Sequence, residues 1–371
     1  MKIVGLIVEY NPLHNGHKYH INKVKEESNA DLIIAVMSSS FTMRGELSLF
    51  DKFTKTEQAL KSGIDIVIEL PFLLTVQNSD LFAKHAVTLL NLAKVDEIWI
   101  GSESNDSLNF EKCYEEFKKP SNQAKIKELL SSGMSYKMAT NSIYNLPSND
   151  LLGYSYYKAI KDNNYNIKLN TIKRIGDNYL DNTNSDLKYT SALSIRTNLN
   201  LLETYTPNYV SNNKSLILDN EKLFNYLKFN ILNKNITELK NTFFVEEGIE
   251  NKLYDIIKYT NLNDFVSYLT SKRYTSSRIR RLLLYVLFNI TKDEANTILT
   301  NNIDYIRVLG FNNKGKEYLS SIKKETTIYT NLKNNINPII DIELKISKIL
   351  DMIYNTKIFI QEQQKPIIKQ D

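Results

Sequence analysis

Short apolar runs recur at regular intervals in the first hundred residues of this 371-residue chain. They span residues 2–8, 31–37, 65–70 and 97–100 and are rich in β-branched side chains. The segments between them, such as 51–62 and 81–92, carry apolar residues at helical spacing. Strands that alternate with helices are typical of a parallel sheet with helices on both faces. The sequence therefore predicts an α/β fold with a doubly wound parallel sheet, in which loops at the carboxyl ends of the strands bind the ligand.

A cluster of histidines follows the first strand. Three of the chain's four histidines, His14, His17 and His20, lie within seven residues. Pro12 ends the strand, Gly16 allows a close approach of the backbone, and a helix is predicted to start near His17. Backbone N–H groups at a helix N-terminus bind anions, and two imidazoles can donate further hydrogen bonds to phosphate oxygens. We therefore predict that this segment binds phosphate.

Two other interpretations of the histidines are open. In one, the spacing places the three imidazoles on one helix face as metal ligands, but metal sites usually add carboxylates or cysteines, and none lies between them. In the other, the histidines only cap and pack a helix. We expect phosphate binding and no protein metal site.

The composition excludes several other classes of protein. No apolar run approaches the roughly 20 residues of a membrane span, and the N-terminus lacks the basic start and cleavage site of a signal peptide. We therefore expect a cytoplasmic protein without membrane association. The single cysteine, Cys113, excludes an internal disulfide and a cysteine-based zinc site.

Positive charge is concentrated in the second half of the chain. Residues 1–200 carry 23 basic and 23 acidic side chains, whereas residues 201–371 carry 24 and 19. Arginine binds phosphates and stacks on bases, and tyrosine adds a stacking surface. Alternatively, the basic residues over 272–281 are only the exposed start of a helix and contact no RNA. The candidate RNA-binding residues are Lys272, Arg273, Tyr274, Arg278, Arg280 and Arg281.

The chain turns mainly helical beyond residue 105, with a further extended stretch predicted over 167–175. Residues 148–150 are predicted to cap a helix that starts near Leu151. Polar residues and a proline interrupt the pattern within 200–215. We therefore predict a ligand-binding domain over 1–205 and a mainly helical RNA-binding domain over 206–371.

The histidine segment and several further motifs resemble one family. His14-Asn15-Gly16-His17 is similar to the H-x-G-H signature of the nucleotidyltransferase superfamily, which includes adenylyltransferases and class I aminoacyl-tRNA synthetases. The longer matches are VGLIVEYNP at 4–12, MRGE at 43–46, DKFTKTE at 51–57, IELPF at 68–72 and GSES at 101–104. Thinner likeness extends through 271–281 and 305–312. Together these motifs resemble the bacterial tRNA(Met) cytidine acetate ligase family over most of the chain.

The resemblance implies a Rossmann-like nucleotidyltransferase core and an ATP-dependent ligase. Members make acetyl-adenylate from acetate and ATP, and then acetylate N4 of the wobble cytidine of elongator tRNA(Met). Mg²⁺ on the ATP phosphates is expected by analogy with other ATP users, and no obligatory protein partner is inferred. The implied ATP-binding residues are Ile7, Val8, Glu9, Tyr10, Asn11, Pro12, Leu13, His14, Asn15, Gly16, His17, Lys18, Tyr19, His20, Gly101, Asn149 and Arg174.

Formation of an acyl-adenylate requires few catalytic side chains, because a carboxylate is already a nucleophile. Alignment with the α-phosphate and stabilisation of the departing pyrophosphate suffice. The segment Ser191 to Arg196 resembles the second phosphate-binding motif of adenylyltransferases, and Ser191 can also cap a helix. The candidate catalytic residues are His14, His17, Lys18 and Arg196, with Lys55 and Arg174 as further cationic candidates.

The loop over 38–44 is predicted to select acetate. It departs from the usual family sequence at Ser39 and Ser40, where Gly and then His or Asn are commoner, and at Met43, where Gln is commoner. The acyl preference is therefore the part of the resemblance that transfers least directly to this chain.

Two other functions stay open. A small-molecule adenylyltransferase is usually a compact single domain, and the length of this chain argues against that class. A tRNA-binding protein with an inactive nucleotide pocket is the second, although the intact His14, Gly16 and His17 argue against a lost activity. A class I synthetase is disfavoured because the sequence has no K-M-S-K-S-like loop.

Overall fold

The computed structural model describes residues 1–134, 136–174, 189–246, 248–271, 274–333 and 336–369. The strands are β1 Ile3–Val8, β2 Leu32–Ser38, β3 Ile66–Leu70, β4 Glu97–Ser102, β5 Lys168–Lys173, β6 Tyr305–Phe311, β7 Thr327–Tyr329 and β8 Ile367–Ile368.

Helices surround the strands. The first ten are α1 Asn15–Ser28, α2 Lys52–Lys61, α3 Phe72–Thr75, α4 Ser79–Leu92, α5 Leu108–Lys118, α6 Pro120–Ser131, α7 Tyr136–Tyr144, α8 Ser148–Asp162, α9 Ala192–Thr197 and α10 Leu202–Tyr205. The others are α11 Asn208–Ser211, α12 Asn220–Leu232, α13 Ile236–Asn241, α14 Ile249–Leu253, α15 Leu262–Leu269, α16 Ser276–Leu287, α17 Lys292–Thr300, α18 Asn313–Ile322, α19 Pro338–Tyr354 and α20 Ile358–Glu362. Short 3₁₀ turns cover Leu199–Leu201, Lys214–Leu216 and Tyr254–Lys258.

The strands form one sheet in the order β5-β4-β1-β2-β3-β6-β7, and β8 pairs with β6. The first five strands along this order run parallel, which confirms the predicted α/β fold. β1 pairs with β2 on one side and with β4 on the other, so the strand order reverses at β1. Such a reversal opens a crevice at the carboxyl ends of the strands, where α/β proteins bind their ligands.

The C-terminal half contributes strands to this sheet, which the sequence analysis did not predict. β6 pairs antiparallel with β3, and β7 and β8 run parallel to β6. The short apolar run over 305–311 forms β6 because it covers the edge that β3 would otherwise expose. The two predicted domains therefore share one sheet, and the division between 1–205 and 206–371 stays a prediction about function.

Alternate residues of the strands enter two separate hydrophobic cores. Val4 and Leu6 of β1 belong to one core, whereas Ile34 and Val36 of β2 belong to the other. This is the consequence of the two-residue period of a strand in a sheet covered on both faces. Side-chain caps fix the helix starts around this sheet, as where Asp51 accepts from the backbone N–H groups of Phe53 and Thr54 at the start of α2.

A fully buried group of charges joins the C-terminal elements to the sheet. This buried ionic cluster consists of Lys52, Glu69, Arg307, Glu343 and Glu362. Lys52 Nζ lies 2.5 Å from Glu69 and 3.1 Å from Glu343 and also contacts Glu362, while Arg307 lies 3.3 Å from Glu362. Burial beside other carboxylates raises the pKa of Glu343 to about 8, so that one proton balances three carboxylates against two cations.

Candidate active site

A cleft of about 1650 Å³ lies at the crevice between β1 and β4. Its walls come from the end of β1, the start of α1, the end of β4, the loop after β2, and from α8 and α9. The predicted site residues that line it are Ile7, Val8, Glu9, Tyr10, Asn11, His14, Gly16, His17, Tyr19, His20, Gly101, Asn149, Arg174 and Arg196. The fold thus brings together most of a set that the sequence scatters over 190 residues.

The two signature histidines are held by the start of α1. The helix begins at Asn15, two residues earlier than predicted, and His14 is its N-cap. His14 Nδ1 accepts from the backbone N–H of Gly16 at 3.0 Å, and His17 Nδ1 accepts from the backbone N–H of His14 at 3.3 Å. Because both Nδ1 atoms accept, each neutral ring carries its proton on Nε2. The rings lie 3.8 Å apart between centroids and offer two N–H donors.

The missing side chain of Gly16 makes room for this arrangement. A Cβ at Gly16 would lie 2.8 Å from His14 Cε1. The glycine is therefore required by the packing of the His14 ring, in addition to any close approach of a ligand.

All three cleft histidines are neutral at pH 7. Burial, with the nearby positive charge of Arg174, lowers the pKa of His14 to about 4. Burial also lowers the pKa of His17 well below its ordinary value and that of His20 to about 4. Neutral imidazoles at a helix N-terminus donate hydrogen bonds without requiring a counter-ion.

Several polar atoms after β1 and in α1 are buried without a partner among the described residues. They are Tyr10 Oη, Asn11 Nδ2 and His20 Nε2. Tyr10 has a φ of 46°, a strained value for a tyrosine, and its ring packs edge-on against His17 at 5.1 Å. Unpartnered buried donors and a strained backbone are typical of a site that is completed by its ligand.

Arg174 follows β5 and contributes a guanidinium to the cleft. Within the described residues, its side chain has no hydrogen bond or ion pair, although its charge lowers the pKa of all three cleft histidines. Its backbone N–H donates to Ser102 at 2.9 Å. A Cβ at Gly101 would lie 3.2 Å from Arg174 Cγ, so Gly101 leaves space for this side chain. The arrangement places a cation that has no partner among the described residues beside the donors of α1.

Arg196 connects two loops at the opposite wall. Its guanidinium donates to the carbonyl of Asn11 at 2.7 Å and to Glu46 at 3.1 Å. Ser191 caps α9 as predicted, because its hydroxyl accepts from the N–H of Ser194 at 3.1 Å. Arg196 therefore lines the cleft and also fixes the end of β1, while its predicted catalytic role stays a prediction.

Four predicted residues do not line the cleft: Pro12, Leu13, Asn15 and Lys18. Lys18 follows His17 by one position, which is about 100° around the helix. Its Nζ donates to the carbonyl of Ser62 at 2.9 Å, away from the histidines. Lys55 is fully buried and donates to the carbonyls of Glu9 and Ser38, both at 2.9 Å. The structure therefore gives both lysines structural contacts outside the cleft wall.

The sequence analysis missed much of the apolar wall. Trp99 lies on β4 two residues before Gly101, so both face the cleft. Leu152 and Tyr156 lie three and seven residues after Asn149 on one face of α8. These two spacings were the signals that could have identified the wall. The predicted helix start near Leu151 was also late, because α8 begins at Ser148 with Pro147 as its N-cap.

The predicted acetate loop divides into a part behind the cleft wall and a part that lines the cleft. Ser38, Ser39 and Ser40 are buried away from the cleft, whereas Thr42, Met43 and Arg44 line it. Glu9 accepts from the backbone N–H of Met43 at 2.6 Å and holds this part of the loop against β1. The positions that depart from the family pattern at 39 and 40 therefore lie behind the cleft wall.

The arginines of α16 have different environments. Arg281 is largely buried and donates to the carbonyl of Gln77 at 2.6 Å, and Tyr274 is buried with its hydroxyl on the carbonyl of Glu246. Arg278 pairs with Glu246 at 3.0 Å, and Arg280 donates to Asn263 at 2.8 Å. Both of the latter are partly exposed. Lys272 and Arg273 lie outside the described residues.

The loop that lines the cleft packs directly on α16. Gly45 has a φ of +77°, and a Cβ there would lie 2.6 Å from the backbone nitrogen of Arg281 and 3.0 Å from Arg280 Cβ. Only glycine suits both the backbone conformation and this contact. Arg44, which is exposed and lines the cleft, is therefore adjacent to the arginine-bearing face of α16.

Two kinds of feature are absent from the described part of the chain. No group of three or more His, Cys, Asp or Glu within it could hold a metal ion. None of its helices is both long and apolar enough to cross a membrane.

The fold and the site together define a nucleotidyltransferase. A family model described as HIGH nucleotidyl transferase matches residues 1–365. Relatives named tRNA(Met) cytidine acetate ligase include that of Anoxybacillus flavithermus, 36% identical over 94% of both chains, and that of Oceanobacillus iheyensis, 36% identical over 99% of this chain and 100% of its own. The chain therefore belongs to the HIGH nucleotidyltransferases and, within them, to the tRNA(Met) cytidine acetate ligase family.

Two solved structures match this chain over its full length. Crystal structures of Thermotoga maritima TmcAL, one apo and one bound with alpha-thio ATP, match with a TM-score of 0.86. Their sequence identities are 29% and 28%, and each alignment covers 100% of both chains.

Proposed function

We propose that this chain activates acetate with ATP and transfers the acetyl group to N4 of the wobble cytidine of elongator tRNA(Met). As a member of its family the chain is an ATP-dependent ligase. The observation that carries the proposal is the unpaired Arg174 beside two neutral Nε2–H donors at a helix N-terminus. These groups form an anion site that has no anion of its own among the described residues.

The ATP site is supported by three features of the cleft. The partnerless Asn11 Nδ2 and Tyr10 Oη are donors that a nucleotide could satisfy. Trp99 on β4 and Leu152 on α8 provide apolar surface for a base. The donors of His14 and His17 face phosphate, as the N-terminus of α1 favours. Mg²⁺, if used, would be held mainly by the phosphates, which agrees with its usual sites in ATP enzymes.

The first step requires alignment and charge stabilisation. An acetate oxygen attacks the α-phosphorus, the bond to the bridging oxygen of pyrophosphate breaks, and acetyl-adenylate remains. Arg174 and the two Nε2–H groups would stabilise the charge that develops on the phosphates. Each such contact typically contributes about 10²-fold or more in rate. The cleft-lining residues Thr42 and Met43 are our candidates for holding the acetyl group.

The second step requires an unstacked cytidine beside the acetyl-adenylate. An anticodon loop supplies unstacked bases, and RNA recognition generally targets such loops. The contact between Gly45 and α16 brings Arg280 next to the loop that carries the cleft-lining Arg44, and Arg278 precedes Arg280 on the same helix. We propose that these arginines bind the tRNA backbone and that Tyr274 and Arg281 support them from inside the fold. A tRNA substrate also favours the expected cytoplasmic location.

The proposal is tested with purified protein, ATP and radiolabelled acetate, with and without unmodified elongator tRNA(Met). The RNA is digested to nucleosides, and we expect labelled N4-acetylcytidine that is lost in His17→Ala. His85→Gln, in the histidine on α4 outside the cleft, is the matched control and should retain product per folded molecule. ATP binding without acetyl-adenylate or labelled RNA would contradict the acetate assignment.

A further inference from the structure

One carboxylate of the cleft has no role in the first step. Among the described residues that line the cleft, only Glu9 and Glu46 carry a carboxylate. Glu46 is paired with Arg196 at 3.1 Å. Glu9 directly follows β1 and precedes the strained Tyr10, and a negative charge at that point would repel both acetate and ATP phosphates.

The two oxygens of Glu9 differ in their contacts. Oε1 accepts from the backbone N–H of Met43 at 2.6 Å, which fixes the carboxyl plane. Oε2 has no hydrogen bond to the described residues, and the residue lines the cleft. One oxygen is therefore anchored, and the other is available to a ligand.

The surroundings make Glu9 a better proton acceptor than an exposed glutamate. Burial and the neighbouring Glu46 raise its pKa, while the N–H of Met43 and the cations Lys55 and Arg44 limit this rise. Tyr156 faces it from α8, and the negative charge of Glu9 contributes to raising the pKa of that tyrosine. Tyr156 is therefore protonated and cannot accept a proton.

The acetyl transfer releases a proton that the other cleft residues are poorly placed to take. His14 and His17 already accept at Nδ1 and carry their protons on Nε2. The pKa of His20 is about 4, and its Nε2 is buried. Arginine is protonated at all accessible pH values. Glu9 is the remaining acceptor among the described residues of the cleft.

We propose that Glu9 Oε2 accepts the proton that the cytidine N4 amine loses when it attacks the acetyl-adenylate. The inference rests on the proposed function and assigns one step of it. The N4–C bond forms, the bond between the acetyl carbon and the phosphate oxygen breaks, and AMP leaves with the electron pair. The N4 proton passes to Glu9, which returns it to solvent after the products leave.

The test separates the two half-reactions in the full-length protein. Acetate-dependent exchange of labelled pyrophosphate into ATP reports the first step, and single-turnover formation of N4-acetylcytidine reports the second. Glu9→Gln keeps the size of the side chain and an oxygen for the N–H of Met43. Although Glu9 lies in the segment that the resemblance implies binds ATP, its carboxylate would repel the phosphates, so we expect exchange within about threefold of wild type. Acetyl transfer should be about 10²-fold slower, as for loss of a general base.

A pH profile distinguishes proton acceptance from positioning. The wild-type transfer rate should rise with pH as Glu9 ionises, and this limb should be absent in Glu9→Gln. The matched control is Glu57→Gln on the exposed face of α2, which should leave both half-reactions and the profile unchanged.

The possible outcomes have distinct meanings. Equal losses of exchange and transfer in Glu9→Gln would overturn the inference in favour of a role in ATP binding. An unchanged transfer rate would also overturn it, because AMP phosphate or water would then take the proton. Failure of the wild type to form N4-acetylcytidine would refute the proposed function itself.

Discussion

The cleft and the buried ionic cluster use charge in opposite ways. In the cluster, Lys52 and Arg307 each have a carboxylate within 3.3 Å, and all five side chains are excluded from solvent. In the cleft, Arg174 has no partner among the described residues, and the buried Asn11 Nδ2 has none. We infer that the paired charges of the cluster stabilise the fold, whereas the unpaired groups of the cleft bind a ligand. The comparison separates structural from functional charges within one sheet.

The largest effect should come from breaking the cluster. Lys52→Met leaves three carboxylates near one arginine, so we expect the free energy of unfolding to fall by about 3–5 kcal/mol. Urea unfolding measures this loss. Lys61→Met on the same helix removes only an exposed pair with Glu57 and should cost no more than about 1 kcal/mol. Equal losses in the two variants would show that the cluster does not stabilise the fold.

Replacement of Arg174 should affect activity and leave stability nearly unchanged. Arg174→Ala breaks no side-chain hydrogen bond to a described residue, so stability should change little. Loss of phosphate stabilisation should slow pyrophosphate exchange about 10²–10³-fold. Lys168→Ala, an exposed residue at the other end of β5, is the control and should retain exchange. A strongly destabilised but active Arg174→Ala would reverse the assignment.

The cleft histidines should make stability depend on pH in a predictable direction. The folded pKa of His14, about 4, is below that of the unfolded chain, so its contribution to stability is present above about pH 6.5 and is lost as the pH falls toward 4. His14→Asn keeps a good N-cap without a titrating ring. The slope of unfolding free energy between pH 6.5 and 4 should decrease by about 1.4 kcal/mol per pH unit. An unchanged slope would show that His14 is not held neutral.

The smallest effect is expected at the mouth of the cleft. Arg44 is exposed, so Arg44→Gln should lower acetylation at limiting tRNA about tenfold and reduce its salt dependence by roughly one phosphate contact. Pyrophosphate exchange without tRNA should be unchanged, because this step needs no RNA. Lys125→Gln on the exposed side of α6 serves as the control. Parallel loss of exchange would place Arg44 in the ATP site instead.

The sequence was sufficient to predict the parallel part of the fold and the segment that carries the cleft histidines. The strands over 2–8 and 31–37 have a local signal, since buried parallel strands are short β-branched runs. His14 and His17 follow such a strand, and the resemblance to one family extended the prediction to Gly101, Asn149 and Arg174. Local periodicity also predicted β5 close to its observed bounds of Lys168–Lys173.

The other features depend on contacts between distant segments, which the sequence alone did not reveal. β6 joins the sheet by pairing with β3, which lies more than 200 residues earlier, and no local pattern indicates this partner. Nothing in the sequence distinguishes Arg281 from the neighbouring arginines of α16. It is buried because Gln77 and Met43 lie against it. Lys18 was included because it follows His17, although the helical twist turns it away from the cleft.

The most direct test measures acetate-dependent pyrophosphate exchange per folded molecule in Arg174→Ala and Lys52→Met, side by side. If Arg174 serves ATP binding and Lys52 serves stability, Arg174→Ala remains folded and loses exchange. The folded fraction of Lys52→Met then retains exchange. Exchange that persists in folded Arg174→Ala would contradict the central claim that the unpaired charge of the cleft binds the phosphates of ATP.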